Sequence, residues 1–328
     1  MKAPIEDASS PSFYFPDFFL KSQTPWFVHK HSMEVSPQEL QLVLSPHELA
    51  PKVSLRLNPL GWHNSYQPLF LHTFEQLQAK FASREIDKAV PFVLESTLQT
   101  MDEGQLRTSL LSVLNYAKEN PAYVYGFWDK NSGILGATPE ILFRIVDAGT
   151  KLETMACAGT KNLHSDSAAF LSDPKELHEH QLVVQGITES LAAFGHVHVG
   201  DLRLLKLSQL VHLVTPIAIE LNATPSFEAI VRALHPTPAV GAFPRKEGMR
   251  WLEDYHTKID RGRFGAPVGY TLPAAKKANC YVSIRNVQWN ESEMMLAAGC
   301  GLVKESRSDR EWAEISLKLQ AIKEMLAL

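Results

Sequence analysis

The chain has 328 residues, 45% of them hydrophobic and 21% charged, with a net charge of −4 at neutral pH. This balance excludes a disordered chain and gives no sequence-wide basic field to attract nucleic acid or an anionic membrane, so the expected partner is a small molecule or a protein. Three cysteines, Cys157, Cys280 and Cys300, are too few and too scattered for a disulfide framework, which suggests a reducing, cytoplasmic setting.

The N-terminal stretch carries Glu6, Asp7, Pro4, Pro11 and Pro16 and lacks the apolar core of a signal peptide. No apolar run reaches the roughly 18 to 20 residues that span a bilayer, so the chain is read as soluble and unprocessed. Residues 1–60 read as a loop-rich, proline-punctuated lead-in, a reduced N-terminal part, and residues 61–328 as a single domain. Short runs dominated by β-branched and aromatic residues predict strands over 87–94, 122–128, 134–137, 141–146 and 152–158. Leu106, Leu110, Leu111, Leu114 and Ala117 have helical spacing and predict a helix over 102–118. Asp173-Pro174 places a cap before a proline at the first helical position and opens a helix to about residue 194. A further helix is predicted over 225–234, and Ser308-x-x-Glu311 reads as a capping box opening a C-terminal helix. Between them, 280–303 reads as a hairpin around Asn290-Glu291-Ser292. Hairpin-joined strands with grouped helices predict an α+β fold, an antiparallel β-sheet core with helices packed outside. Neither a G-x-G-x-x-G after a strand nor a Walker loop is present.

Two helices each carry a pair of glutamates three residues apart, Glu176 with Glu179 and Glu311 with Glu314, the latter followed by Lys318. Together they could hold a hard cation such as Mg²⁺, which takes carboxylate oxygens and keeps several waters. Periodicity alone favours the alternative, solvated faces laced by i,i+4 pairs such as Glu314-Lys318. Lys88 lies among apolar residues, where burial would lower its pKa towards that of a general base. The alternative is an edge position from which the amine snorkels to water, consistent with Pro91. Arg285, in the run YVSIRNV, has the chemistry to clamp a carboxylate. Gly159-Thr160 and Gly299-Cys300-Gly301 end strand-like runs where backbone N–H groups can approach an anion. His178-x-His180 and His196-x-His198 lack a carboxylate or cysteine at zinc-site spacing and read as structural.

Taken in order from Lys88 to the C-terminus, these segments resemble the chorismate-utilising enzymes. The blocks are GATPEILFRI, ETMACAGTK, DPKELHEHQLVVQGI, LSQLVHLVTPI, LHPTPAVGAFPR, DRGRFGAPVGY, VSIRNV, LAAGCGLV and DREWAEISLK. The His-Pro-Thr-Pro-Ala-Val form of the fifth block is similar to the isochorismate synthases rather than to the anthranilate or aminodeoxychorismate synthases.

The resemblance implies an isomerase in which water attacks C2 of chorismate, the double bonds shift and the C4 hydroxyl leaves. It implies Lys88 as general base, Glu140 as general acid, and His212 near the C4 hydroxyl, orienting Glu140 or the leaving group. It implies Mg²⁺ held directly by Glu179 and Glu314, with Glu176 and Glu311 orienting its waters or ligands. Arg285 and Lys318 would bind the substrate carboxylates, aided by backbone N–H groups around Gly159, Thr160, Gly299 and Gly301. No glutaminase partner is expected, and the chain is read as a monomer. Isochorismate is a precursor of menaquinone, catechol siderophores and salicylate. Amination of chorismate, onward conversion to salicylate, and chorismate binding without catalysis are the alternatives. The chain departs from the family pattern at Thr138, Phe264, Ala242, Thr257 and Val93.

Overall fold

The computed structural model describes residues 11–45, 61–272 and 277–328. The readings of residues 1–10 as free of a leader and of 46–60 as loop-rich fall outside the described residues. The elements follow one another as β1 (Ser12–Tyr14), β2 (Trp26–Val28), α1 (Pro37–Leu44), α2 (Gln67–Ala82), β3 (Lys88–Ala89), β4 (Phe92–Thr97), α3 (Glu103–Glu119) and β5 (Tyr123–Trp128). Next come β6 (Gly133–Thr138), β7 (Ile141–Val146), β8 (Lys151–Asn162), α4 (Ser167–Leu171), α5 (Pro174–Leu191), β9 (Gly195–Val199), β10 (Arg203–Lys206) and β11 (Leu210–Leu221). The chain closes with α6 (Phe227–Leu234), β12 (Ala242–Phe243), α7 (Arg245–His256), β13 (Pro267–Leu272), β14 (Lys277–Val282), β15 (Asn286–Trp289), β16 (Met294–Gly299) and α8 (Ser308–Leu326).

The fold is α+β, and the strand pairings among the described residues are antiparallel. A nine-stranded sheet runs β10-β11-β8-β7-β14-β13-β1-β2, with β9 sharing the outer edge of β11. A five-stranded sheet runs β4-β16-β15-β6-β5, and β3 pairs with β12. Strand β8 shows why its residues pair: Leu152, Thr154, Ala156 and Ala158 are buried in strict alternation, one face of a pleat turned inward. Helix α5 lies on β8 and β11 of the large sheet, and α8 lies on β16, β15 and β4 of the smaller one. One hydrophobic cluster joins Phe143, Leu152 and Ile217 of the first sheet to Phe92, Leu135 and Leu296 of the second.

The start of α5 follows its capping signal, and α3 begins at a cap the apolar spacing alone did not single out. Asp102 caps α3 by accepting from the Gln105 amide at 2.7 Å, and Asp173 caps α5 in front of Pro174. Four expectations need correction. The 87–94 run is broken at Pro91, which has no N–H for a ladder, and β3 and β4 fall in different sheets. The 280–303 run is likewise divided: β14 belongs to the large sheet, residues 283–285 cross over, and only β15 and β16 form the hairpin. Its turn holds because Asn290 Oδ1 accepts from the amides of Ser292 and Glu293 at 2.8 and 3.1 Å. Helix α8 has no capping box: Arg307 occupies the cap position without a side-chain bond, and Glu311 turns inward to an ammonium. Helix α5 ends at Leu191, with Gly195 already in β9.

Candidate active site

A cavity is lined by both larger sheets and by α5 and α8, and Glu140, Gly159, Thr160, Glu179, His212, Arg285, Gly299, Gly301, Glu314 and Lys318 reach its wall. The sequence-predicted residues thus converge on one place from segments far apart in the chain. Lys88, Glu176 and Glu311 do not line this cavity. Glu176 and Glu311 line a second, polar cavity that shares Thr160 and Glu314 with the first, so the carboxylates form a partition between the two.

The wall near Gly159 is shaped by a β-bulge. Thr160 pairs with His212 and Ala158 with Leu213, which leaves Gly159 as the extra residue at φ +79°. The bulge brings Thr160 and His212 face to face, and His212 Nδ1 lies 3.0 Å from Thr160 Oγ1 and 3.3 Å from the Gly159 carbonyl. A carbonyl can only accept, so Nδ1 carries the proton and Nε2 is free to accept from Arg285 Nη2 at 2.5 Å. Burial, reinforced by the charges of Arg285 and Lys318, holds the imidazole well below its ordinary value, in agreement with a neutral ring. Both ring nitrogens of His212 are therefore engaged, one on the bulge and one on Arg285.

Arg285 was expected within a strand and instead sits between β14 and β15 with φ +56°. A left-handed arginine is uncommon and is held here by its neighbours. Tyr125 Oη donates to the Ile284 carbonyl at 2.8 Å and accepts from Asn286 Nδ2 at 2.8 Å, while Asn286 also donates to the Ser283 carbonyl at 3.1 Å. Tyr125 and Asn286 escaped sequence reading because a tyrosine in a strand and an asparagine beside a strand carry no local mark of this role.

Lys88 is fully buried, which overturns the snorkelling alternative. Strand β3 pairs Lys88 with Phe243 of β12, and Nζ donates to the Pro238 carbonyl at 2.7 Å and lies 3.4 Å from Glu179 Oε1. A glycine at position 301 makes room for this pair behind the cavity wall: a Cβ there would collide with Glu179 and lie 2.6 Å from Nζ. Burial pulls the Lys88 ammonium below its ordinary value, against the opposing effect of Glu179. Glu140 shifts the other way. It sits in the turn between β6 and β7, its amide donating to Thr138 Oγ1 at 3.2 Å, and burial pushes its carboxyl up to about 7 against the opposing charges of Lys88, Lys318 and Arg285.

Burial of Glu176, Glu179 and Glu311 overturns the solvated-face reading, although the pair Glu314–Lys318 is formed at 2.7 Å. Burial raises Glu179, but Lys175 and Lys88 outweigh it and leave the carboxylate below its ordinary range. Burial raises Glu311, opposed by Lys175. Lys318 also donates to the Gly299 carbonyl at 2.8 Å, so Gly299 offers an acceptor here, where the sequence reading expected an amide donor. Lys175, unnoticed in the sequence reading, lies among these acids; its i,i+4 spacing to Glu179 was the available signal. Cys157, also unforeseen, lines the cavity, and burial pushes its thiol up to about 12.

Carboxylate donors of this kind suit magnesium, and Glu176 Oε2 is buried without a hydrogen-bond partner, an acceptor left for a cation. Among the described residues no group of three or more acidic, imidazole or thiolate side chains is placed to hold a metal ion. Ala242, where the family pattern has glycine, directs its methyl at Gly248, whose own Cβ would lie 2.6 Å from it, so it does not narrow the cavity.

A cavity lined by the acid candidate and by Glu179 and Glu314, with the base candidate buried behind it, suits an enzyme, and the chain belongs to the chorismate-binding family: residues 36–327 match the model described as chorismate binding enzyme. The chain is similar to the salicylate biosynthesis isochorismate synthase of Pseudomonas aeruginosa, 38% identical over 206 residues, 60% of this chain and 42% of that protein. It is 29% identical over 273 residues to isochorismate synthase EntC of Escherichia coli K12, covering 78% of this chain and 67% of the relative. The chain thus spans less than half of the first relative and two thirds of the second. Among solved structures, MenF, the menaquinone-specific isochorismate synthase of Escherichia coli, superposes with a TM-score of 0.68 at 22% identity, covering 88% of this chain and 68% of the other, a likeness of fold. No helix among the described residues is long and apolar enough to cross a membrane.

Proposed function

We propose that this chain is a magnesium-dependent isochorismate synthase that binds chorismate in the cavity between α5 and α8. The observation that carries the reading is a fully buried lysine and a buried glutamate, Lys88 and Glu140, set at one carboxylate-lined cavity, where burial favours the neutral form of each. Environments that push two titratable groups apart in this sense suit a base and an acid working together. The relatives' names support the choice of chorismate and of water as reactants.

Lys88 takes a proton from the water whose oxygen bonds to C2, and the ring double bonds shift as the C4–O bond breaks. Glu140 supplies the proton with which the C4 hydroxyl departs as water. Atoms balance as an isomerisation, and solvent resets both groups. His212, neutral and fixed by Thr160, holds Arg285 at the angle from which its guanidinium binds a carboxylate. Lys318 supplies a second positive charge. Glu179 and Glu314 would hold the magnesium ion, with Glu176 and Glu311 orienting its waters. When bound, the ion supplies charge compensation for the ring carboxylate.

The Lys88→Ala variant tests the base. Conversion of chorismate should fall by at least ~10² while saturable chorismate binding is partly kept. Turnover at the wild-type rate would contradict the assignment.

A further inference from the structure

Lys175 places its ammonium 2.9 Å from Glu179 Oε2, 3.1 Å from Glu311 Oε1 and 3.5 Å from Glu176 Oε1. An ordinary i,i+4 partner would meet Glu179 alone; this one joins carboxylates from α5 and α8, which lie on different sheets. A compact ammonium on a flexible stem is the side chain best able to sit at such a point and to leave it. Glu176 Oε2 remains buried and without a partner on the side of Gly159, whose Cβ would lie 3.0 Å from it, so Lys175 satisfies the cluster incompletely.

We infer that Lys175 is a tethered counter-ion: it holds Glu176, Glu179 and Glu311 together in the metal-free protein and withdraws when a divalent cation enters. The inference rests on the magnesium reading above and adds a positioning residue to it. An ammonium and a dication cannot share the same carboxylate oxygens, because their like charges repel strongly at such distances. The second cavity, which Lys175 itself lines, gives the side chain room to swing away; Asp173 and Glu305 are the acids there outside the cluster, partnered by Lys161 at 3.5 Å and His178 at 3.0 Å. Without the lysine, Glu311 would lose its ammonium, and Glu176 and Glu179 would keep only Lys161 at 3.0 Å and Lys88 at 3.4 Å, so the buried carboxylates would repel one another more strongly. The device keeps the site assembled at the expense of cation affinity.

Lys161 supplies the control. Its ammonium reaches Glu176 at 3.0 Å and Asp173 at 3.5 Å from the rim, so its loss changes the net charge equally without vacating the centre.

The test is titration of the full chain with Mn²⁺, followed by electron paramagnetic resonance, alongside thermal unfolding in chelator and in millimolar Mn²⁺. Lys175→Met should bind Mn²⁺ at least tenfold more tightly than wild type, and melt lower than wild type in chelator with the gap closing when Mn²⁺ is present. Lys161→Met should shift the affinity by clearly less. Lys175→Arg, which keeps the charge on a bulkier head and so keeps the carboxylates compensated, should bind Mn²⁺ several-fold more weakly. Unchanged or weaker binding by Lys175→Met, equal shifts for the Lys161 and Lys175 methionine variants, or unweakened binding by Lys175→Arg would overturn the counter-ion role while leaving the metal site standing. A wild-type chain that takes up no Mn²⁺ would overturn both this inference and the magnesium reading.

Discussion

Glu140 carries the sharpest consequence at the scale of single residues. Its protonated form is the proposed acid, so kcat/KM should fall as pH rises through about 7, the value to which burial raises it. The same shift bears on stability. A carboxyl whose folded pKa exceeds its unfolded value binds more protons when folded, so the native state loses stability as pH rises from about 4.5 to about 7. Glu140→Gln should therefore lose turnover by ~10²–10⁴ yet gain up to about 3 kcal/mol at pH 8, with little gain at pH 5. Urea unfolding at the two pH values checks this, and an equal effect at both would contradict the burial argument. Glu140 was singled out in the sequence by the block GATPEILFRI, and Lys88 by its apolar neighbours. Their opposite shifts were expected only on the condition of burial. That condition is met by the β3–β12 pairing, which joins residues more than 150 positions apart and leaves no periodic trace near Lys88.

Among the elements, β8 does the most to position the site. Its regular alternation was readable, but the bulge at Gly159 was not, because it exists only against β11. Gly159→Ala would place a side chain at φ +79° and 3.0 Å from Glu176 Oε2. A non-glycine residue in left-handed backbone costs about 1–2 kcal/mol, and the variant should melt lower by a corresponding margin. Because the bulge aims Thr160 and His212, and through His212 Arg285, KM should rise more than kcat falls; steady-state kinetics separate the two. The helices show the converse. Asp173-Pro174 marked a true start because capping is local, whereas Ser308 and Glu311 also offered a local capping pattern and lost it to Lys175. Burial of Glu176, Glu179 and Glu311 could not be read from helical spacing, since a polar stripe looks alike whether it faces water or another acidic helix.

On the scale of the whole molecule, the site is a seam. Helix α5 rides on the large sheet and α8 on the smaller one, and the carboxylates they bring together separate an inner cavity lined by Arg285 and Glu140 from an outer polar one. The α+β class followed from hairpins and grouped helices, but the separation of β3 from the smaller sheet turned on Pro91, and the passage from the large sheet to the smaller one on the crossing at residues 283–285, short features inside runs that read as continuous. The central claim, that this seam adds water to chorismate, is tested most directly by incubating the purified chain with chorismate and Mg²⁺, with and without ammonium, and identifying each product by chromatography. The account predicts isochorismate alone, lost on chelation and unaffected by ammonium. An amino product, release of pyruvate, or unchanged chorismate despite saturable binding would contradict it.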